Sequence, residues 1–461
     1  MSRDVPSSRL LCLAASALLL PVGAQDARTP DAPPVPDAPA VDTNPEESRP
    51  RDFIQIEPQT AKPSVSAMAP IDDSHVVFLN RRGQIGLAKF SPGLSLIGWD
   101  FYSEVKLDAL PSLALGPGYS VIAASPTELT QAFDTDEDLE LDFFQALVRD
   151  WAGREEGVVI TAGPVADAHG RVLFALSPFA AKESDSSKAR LVAWHPETEG
   201  LVTITESQLP IDAFALSSQG ILAARLHMPE YEDGYYLSLT DLPPFDPEPP
   251  EGPPERIPSM QPSLLIPAEL TRGEQPEQLS FFREDQEEKL LVTCPGAKQI
   301  LEILPEKKDG VWQGAILLRQ ITTDPVETLS EMSPGLLVGG GDDGFVPVRE
   351  NDEVFRISRV SAADDGIVLD FTRPVDRYAA VKPESYSVTE ISLKGGSSQV
   401  VGLPVIESDG KSVILQVDDL KPGTVLRIVC QNVPSEDGKR LLSTAAFYTI
   451  HKRDPRVERS D

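Results

Sequence analysis

Short apolar runs separated by glycine-bearing turns recur from Phe53 to about Val348. This punctuation constrains the fold more than any other feature. HVVFLNRRGQIGLAKF, ARLVAWHPETEGLVTI and KLLVTCPGAKQILEIL each place two strand-length apolar segments around a turn, which is a hairpin pattern. The strong turn signals repeat at intervals on the order of 45 residues, the size of a four-stranded propeller blade. Roughly six such units fit residues 53–348. A parallel α/β sheet needs crossover helices, and the chain lacks long helical periodicity. The predicted fold is all-β, with a six-bladed β-propeller as its larger part. Residues 242–267, LPPFDPEPPEGPPERIPSMQPSLLIP, interrupt one unit. Proline cannot donate to a strand ladder, so this stretch is predicted to be an exposed insertion between blades with no core strand.

A second domain is predicted over residues 353–452. Segments 366–371, 412–417 and 424–430 alternate apolar and polar residues, so one face packs and the other meets water. The length, about a hundred residues, suits an immunoglobulin-like β-sandwich. Residues 453–461 read as a charged tail.

The first 24 residues read as a secretory signal. Arg3 and Arg9 precede an apolar run over residues 10–20, and Val22-Gly23-Ala24 offers a small-residue cleavage site. That run is shorter than the roughly 20 residues of a membrane-spanning helix, and no transmembrane segment is expected elsewhere. The expected product is secreted or periplasmic after cleavage near Ala24. Residues 25–52, rich in Pro, Asp and Ala, have little to bury and read as a spacer. Acids outnumber bases 72 to 41, for a formal net charge of −31. Such a surface repels nucleic acid and anionic membranes, so no nucleic-acid partner is expected. Cys294 and Cys430 lie in apolar runs of different predicted domains and read as free buried thiols. The chain holds no C-x-x-C-H haem signature, no G-x-S-x-G elbow, no P-loop and no H-E-x-x-H.

One acidic run could hold a cation. Asp134, Asp136, Asp138 and Asp142 stand at relative positions 1, 3, 5 and 9 of a loop, where carboxylates converge on calcium. The sixth position is Leu139 where glycine gives the sharp turn, and the twelfth is Gln145 rather than Glu. A plain solvated loop between two strands is the competing reading.

Several segments resemble the sorbosone and soluble-glucose-dehydrogenase-like propellers of large secreted bacterial proteins, often joined to cytochrome domains. Pro126, Glu128, Leu129, Asp134, Asp136, Asp138 and Asp142 match one motif, and Leu139 departs from it. GPVADAHGRVLFAL (residues 163–176) and the Trp312-Gln313-Gly314-Ala315 segment match two more. Asp365, Gly366, Leu369, Phe371, Thr372, Pro374, Val375, Asp376, Ser385 and Tyr386 match the immunoglobulin-like module that follows these propellers, as do Leu420, Pro422 and Gly423. The resemblance implies a channel mouth that can hold pyrroloquinoline quinone and calcium. It also implies a histidine base in the strand before the G-P turn. Residues 157–161 carry no histidine there, and His169 falls inside the turn. A missing base forfeits roughly 10²–10⁴ in rate.

Two functional readings follow. The first is an exported, non-catalytic binding scaffold that uses a degenerate propeller to recognise a glycan or a surface protein, or to dock on a cytochrome. It requires no cofactor beyond an optional calcium ion, and no catalytic residue is assigned. The alternative is a divergent quinone- and calcium-dependent sugar dehydrogenase.

Overall fold

The structure is a computed structural model. It describes residues 62–452 except 137, 139, 149–156, 179–187, 197–200, 228–233, 244–256, 285–286, 334–335, 349–352, 364–365, 392–396 and 418–419. The expected signal peptide, spacer and charged tail lie outside the described residues, as does the middle of the Pro-rich stretch.

Six antiparallel sheets succeed one another along the chain, each running from its first strand to its last in spatial order. Blade 1 contains β1 (Ala67–Pro70), β2 (His75–Leu79), β3 (Gln84–Phe90) and β4 (Leu96–Lys106). Blade 2 contains β5 (Leu113–Leu115), β6 (Val121–Ser125), β7 (Glu128–Phe133) and β8 (Phe143–Val148). Blade 3 contains β9 (Val158–Ala166), β10 (Val172–Pro178), β11 (Ala189–Trp194) and β12 (Val202–Ser207). Blade 4 contains β13 (Ile211–Leu216), β14 (Ile221–Leu226), β15 (Gly234–Asp241) and β16 (Leu264–Pro267), followed by the short helix α1 (Ala268–Thr271). Blade 5 contains β17 (Leu279–Glu284), β18 (Glu287–Cys294), β19 (Gln299–Lys308) and β20 (Val311–Ile321). Blade 6 has three described strands, β21 (Thr328–Ser333), β22 (Leu336–Gly341) and β23 (Gly344–Val348).

The blades close into a six-bladed propeller because every neighbouring pair shares an apolar core. In blade 5, Leu290 and Val292 pack with blade 4, while Leu291 between them packs with blade 6. Ring closure falls on Phe78, Phe90 and Trp99 of blade 1 with Met332, Val338 and Phe345 of blade 6. Both faces of a central strand are therefore buried, so β2 (HVVFL) is buried throughout and runs apolar after His75 instead of alternating.

The turns explain much of the punctuation. Asn80 Oδ1 accepts from the amides of Arg82 and Gln84, both at 2.9 Å, and Asp167 Oδ1 does the same for His169 and Arg171 at 2.9 Å. The fourth residue of each turn, Gly83 (φ 79°) or Gly170 (φ 78°), occupies left-handed backbone that a side chain disfavours.

The prolines mislead at one point. Leu264–Pro267, inside the expected insertion, is a buried strand that pairs with β15 and completes blade 4. Met260 is buried in the core between blades 3 and 4. Proline is tolerated here because β16 is an outer strand, with one side free of ladder bonds.

The C-terminal region is two packed antiparallel sheets. Its strands are β24 (Ile357–Ala363), β25 (Gly366–Phe371), β26 (Tyr386–Ile391), β27 (Ser397–Gln399), β28 (Val405–Ile406), β29 (Ser412–Gln416), β30 (Thr424–Cys430) and β31 (Ala445–Ile450), with helix α2 (Arg377–Ala380) between β25 and β26. One sheet has the order β24-β25-β29-β28, and the other runs β31-β30-β26-β27. The second sheet does not stop at β31. That strand also pairs with β20, aligning Gly314, Ala315 and Ile316 with Thr449, Tyr448 and Phe447, so blade 5 and the sandwich form one eight-stranded sheet.

The Trp312-Gln313-Gly314-Ala315 segment lies in this seam. Ala315 and Leu317 enter the sandwich core, while Ile316 and Leu318 face blade 4. Gln313 is fully buried. It donates to Tyr448 Oη at 3.0 Å and accepts from the amides of His451 (3.0 Å) and Lys452 (2.9 Å). A Cβ on Gly314 would lie 2.2 Å from the Leu304 carbonyl oxygen, so only glycine lets the strands approach.

Candidate functional site

Strands alternate in direction within a blade, so the starts of the first strands and the ends of the second strands share one face of the ring. The first strands are rich in small residues, such as Ala67 and Ala69 in β1 and Ala213 and Ala215 in β13. They leave a cavity of about 670 Å³ along the axis, lined by all six first strands. Ser66, Pro111, Glu277 and Glu327 line both this channel and the hollow at its mouth.

The mouth is built from charged groups of different blades. In blade 4 the β13–β14 register shifts between Ile211 and Ala213, and Asp212 occupies the irregularity. Such a bulge re-aims a side chain. Here Asp212 Oδ1 accepts from Arg225 Nε at 2.6 Å. Arg225 is buried at 3 % exposure, and its second contact is the Glu277 carbonyl oxygen at 3.4 Å. His227 Nδ1 lies 3.7 Å from Asp212 Oδ2, too far for a hydrogen bond. Across the mouth, Arg81 pairs with Glu327 and lies 3.1 Å from Asp342. Hydrogen bonding to Glu327 raises the Arg81 pKa further. Burial pushes the nearby Cys294 thiol up to about 12.

Six acidic residues, Asp108, Asp212, Glu277, Glu327, Glu331 and Asp342, line the channel and mouth, against three arginines, Arg81, Arg82 and Arg225. The guanidinium groups of Arg81 and Arg225 are already paired with carboxylates. Pyrroloquinoline quinone carries three carboxylates of its own. No described channel-lining residue is a histidine that could serve as base. The residues present do not fit that cofactor, and no catalytic step through it is derived. They offer instead several carboxylate acceptors and two fixed donors around an open hollow.

The acidic loop lies elsewhere. It joins β7 to β8, which places it at the face opposite the mouth, as is His169 in the β9–β10 turn. Carboxylate oxygens of Asp134, Asp136 and Asp138 lie within 4.8 Å of one another. Asp142 is engaged locally, accepting from the Thr135 amide at 3.1 Å and its hydroxyl at 2.7 Å. These bonds hold its carboxyl below the usual range. Leu139 lies outside the described residues.

Reading the sequence by itself misses the mouth, whose members are dispersed over more than 200 positions. One signal could have found them. Pro63, Pro111, Pro210, Pro276 and Pro325 stand just ahead of the first strands of five blades, and Ser66, Ser112, Asp212, Glu277 and Glu327 follow within three residues.

No family model matches the sequence, and no curated protein matches it. Several solved structures are similar to part of this chain. A putative oxidoreductase (glucose dehydrogenase) from Thermus thermophilus is 16 % identical, covering 62 % of this chain and 96 % of its own, with a TM-score of 0.43. A gluconolactonase from Xanthomonas campestris is 13 % identical over 62 % of this chain and 85 % of its own, at 0.41. The quinone domain of a pyranose dehydrogenase from Coprinopsis cinerea is 10 % identical over 63 % and 93 %, at 0.41. The likeness is one of general architecture, and the reading of the site rests on its own residues.

Proposed function

We propose that the channel mouth is a recognition site for a neutral, hydroxyl-bearing ligand, a glycan, and that the chain is an exported, non-catalytic binding protein. One observation carries this reading. The bulged Asp212 and the buried Arg225 form a rigid acceptor–donor pair beside Glu277, across from Glu327 and Arg81. Sugar hydroxyls both donate and accept, and paired carboxylate and guanidinium groups match them without demanding a net charge. Phe281, partly exposed in the channel, offers an apolar ring face to a pyranose.

The C-terminal region is proposed to be an immunoglobulin-like docking module. Its order, first-second-sixth-fifth strand over eighth-seventh-third-fourth, supports that assignment. The clustered Asp134, Asp136 and Asp138 are proposed as a weak calcium loop, tested by calorimetric titration with calcium. Export rests on residues 1–24, and detection of a chain beginning near Gln25 outside the cytoplasm would support it.

The deciding experiment is a glycan array followed by calorimetry on the mature chain and on Asp212→Asn. Saturable binding that falls at least about tenfold in Asp212→Asn supports the proposal. Saturable uptake of pyrroloquinoline quinone in calcium, with sugar-dependent reduction of an artificial acceptor, would replace it with the dehydrogenase reading.

A further inference from the structure

The cavity runs deeper than the charged pairs at its mouth. Its lining extends from Asp212 to Leu216 on β13 and from Glu327 to Glu331 on β21. Four residues of strand rise about 13 Å, more than one sugar ring spans. The pairs of Arg225 with Asp212 and of Arg81 with Glu327 occupy only the upper end. Every first strand lies at a sheet terminus, so its inner edge presents backbone donors and acceptors that no ladder uses.

The lower end is equipped differently. First strands run away from the mouth, so Leu115, Leu216 and Phe281 stand at the far end of the lining, and all three are half-buried. Ser330 lies near the same depth in blade 6. It is 4 % exposed, and its Oγ has no hydrogen-bond partner among the described residues. A buried hydroxyl left unpaired is costly, and a ligand hydroxyl satisfies it. Glu331 is the charged residue at this depth among the described lining residues. Both of its carboxylate oxygens accept from the Arg283 amide at 3.1 Å.

We propose that the channel takes the terminal two sugars of a glycan chain, inserted end-on. This rests on the reading of the mouth as a glycan site. One ring meets the Asp212–Arg225 pair. The next lies lower, with an apolar face on Phe281 and a hydroxyl on Ser330 Oγ. The inner strand edges supply further partners along the way. All six first strands surround the cavity, so an end can enter, whereas an internal stretch finds no groove to lie along.

Calorimetry on the intact mature chain tests this with linear gluco-, manno- and galacto-oligosaccharides of one to four units. In a series that binds, the disaccharide should bind at least about tenfold tighter than the monosaccharide, and each further unit should add less than about twofold. Phe281→Ala and Ser330→Ala should each erase most of the disaccharide's advantage. If Phe281→Ala fails to fold, Phe281→Leu replaces it and the length series still decides. Equal affinity for one and two units, a gain that continues through four, or an advantage untouched in both variants would overturn the proposal and leave the mouth a sugar site. Binding of none of these sugars would overturn it as well, and the glycan array then decides the wider reading.

Discussion

The outer strands of blades 1 and 5 are both eleven residues long, and they meet different fates. β20 of blade 5 is covered along its edge by β31, and Gln313 to Arg319 are all buried. β4 of blade 1 exposes Leu96, Ile97, Phe101 and Val105. An outer blade strand presents unpaired backbone groups and half-covered apolar side chains. In blade 5 the C-terminal region supplies both missing halves, with ladder bonds from β31 and a second apolar face from the sandwich core. The sandwich thus completes the ring structurally, and is more than a module hung on a linker.

The strongest way to break this comparison is to remove the sandwich. A chain ending at Val348 should lose cooperative unfolding and aggregate through the uncovered β20. A soluble propeller with an unchanged melting temperature would refute the idea. The two buried thiols sharpen it further. Burial holds both Cys294, between blades 4 and 5, and Cys430, in the sandwich core, at about 12. In the intact chain both should resist a thiol reagent at mildly alkaline pH and become reactive in one thermal transition. Separate transitions would mean that the regions open independently.

Single substitutions at the seam come next. Glu302 is fully buried in blade 5 and lies 3.1 Å from Arg319, 3.2 Å from Arg356 and 3.1 Å from Lys289. Arg356 comes from the segment that enters the sandwich. Glu302→Ala removes the fully buried carboxylate of this cluster, leaving Arg319 and Lys289 to share Glu284, and should cost up to about 3–5 kcal/mol in denaturant unfolding. Gln313→Ala strands the amides of His451 and Lys452 and should cost about 1–3 kcal/mol. The bidentate Arg427–Glu269 pair, with both bonds at 2.6 Å, also ties the sandwich to α1. Both side chains are about a third or more exposed, so Arg427→Ala should cost no more than about 1 kcal/mol. The smallest effect tests blade 1. Phe101 is 41 % exposed, so Phe101→Ser should change stability by less than about 0.5 kcal/mol. A larger loss would show that the ring is more deeply covered than β4 and blade 6 alone make it.

The sequence made the blades legible because turn chemistry is local. Asn80 to Gly83 and Asp167 to Gly170 announce hairpins within a few residues. The Pro-rich stretch misleads because composition outweighs position. Leu264-Leu265-Ile266 is three apolar residues among prolines, and only its place at a sheet edge makes it a strand. The candidate site was barely legible for the opposite reason. Asp212, Arg225, Glu277 and Glu327 each look like ordinary turn or strand-end residues, and ring closure alone brings them together. The acidic run stood out in sequence because its members are adjacent, yet the fold places it on the face away from the mouth.

The pairing of Gln313 with Tyr448 joins residues 135 positions apart. Blade 5 is synthesised well before the strand that finishes it. During that interval β20 is an open edge that can capture a stray strand, and only the arrival of β31 ends the risk. Completing the edge of blade 5 is therefore a search over a long tether. Nascent chains stalled before residue 445 should be the ones most in need of a chaperone.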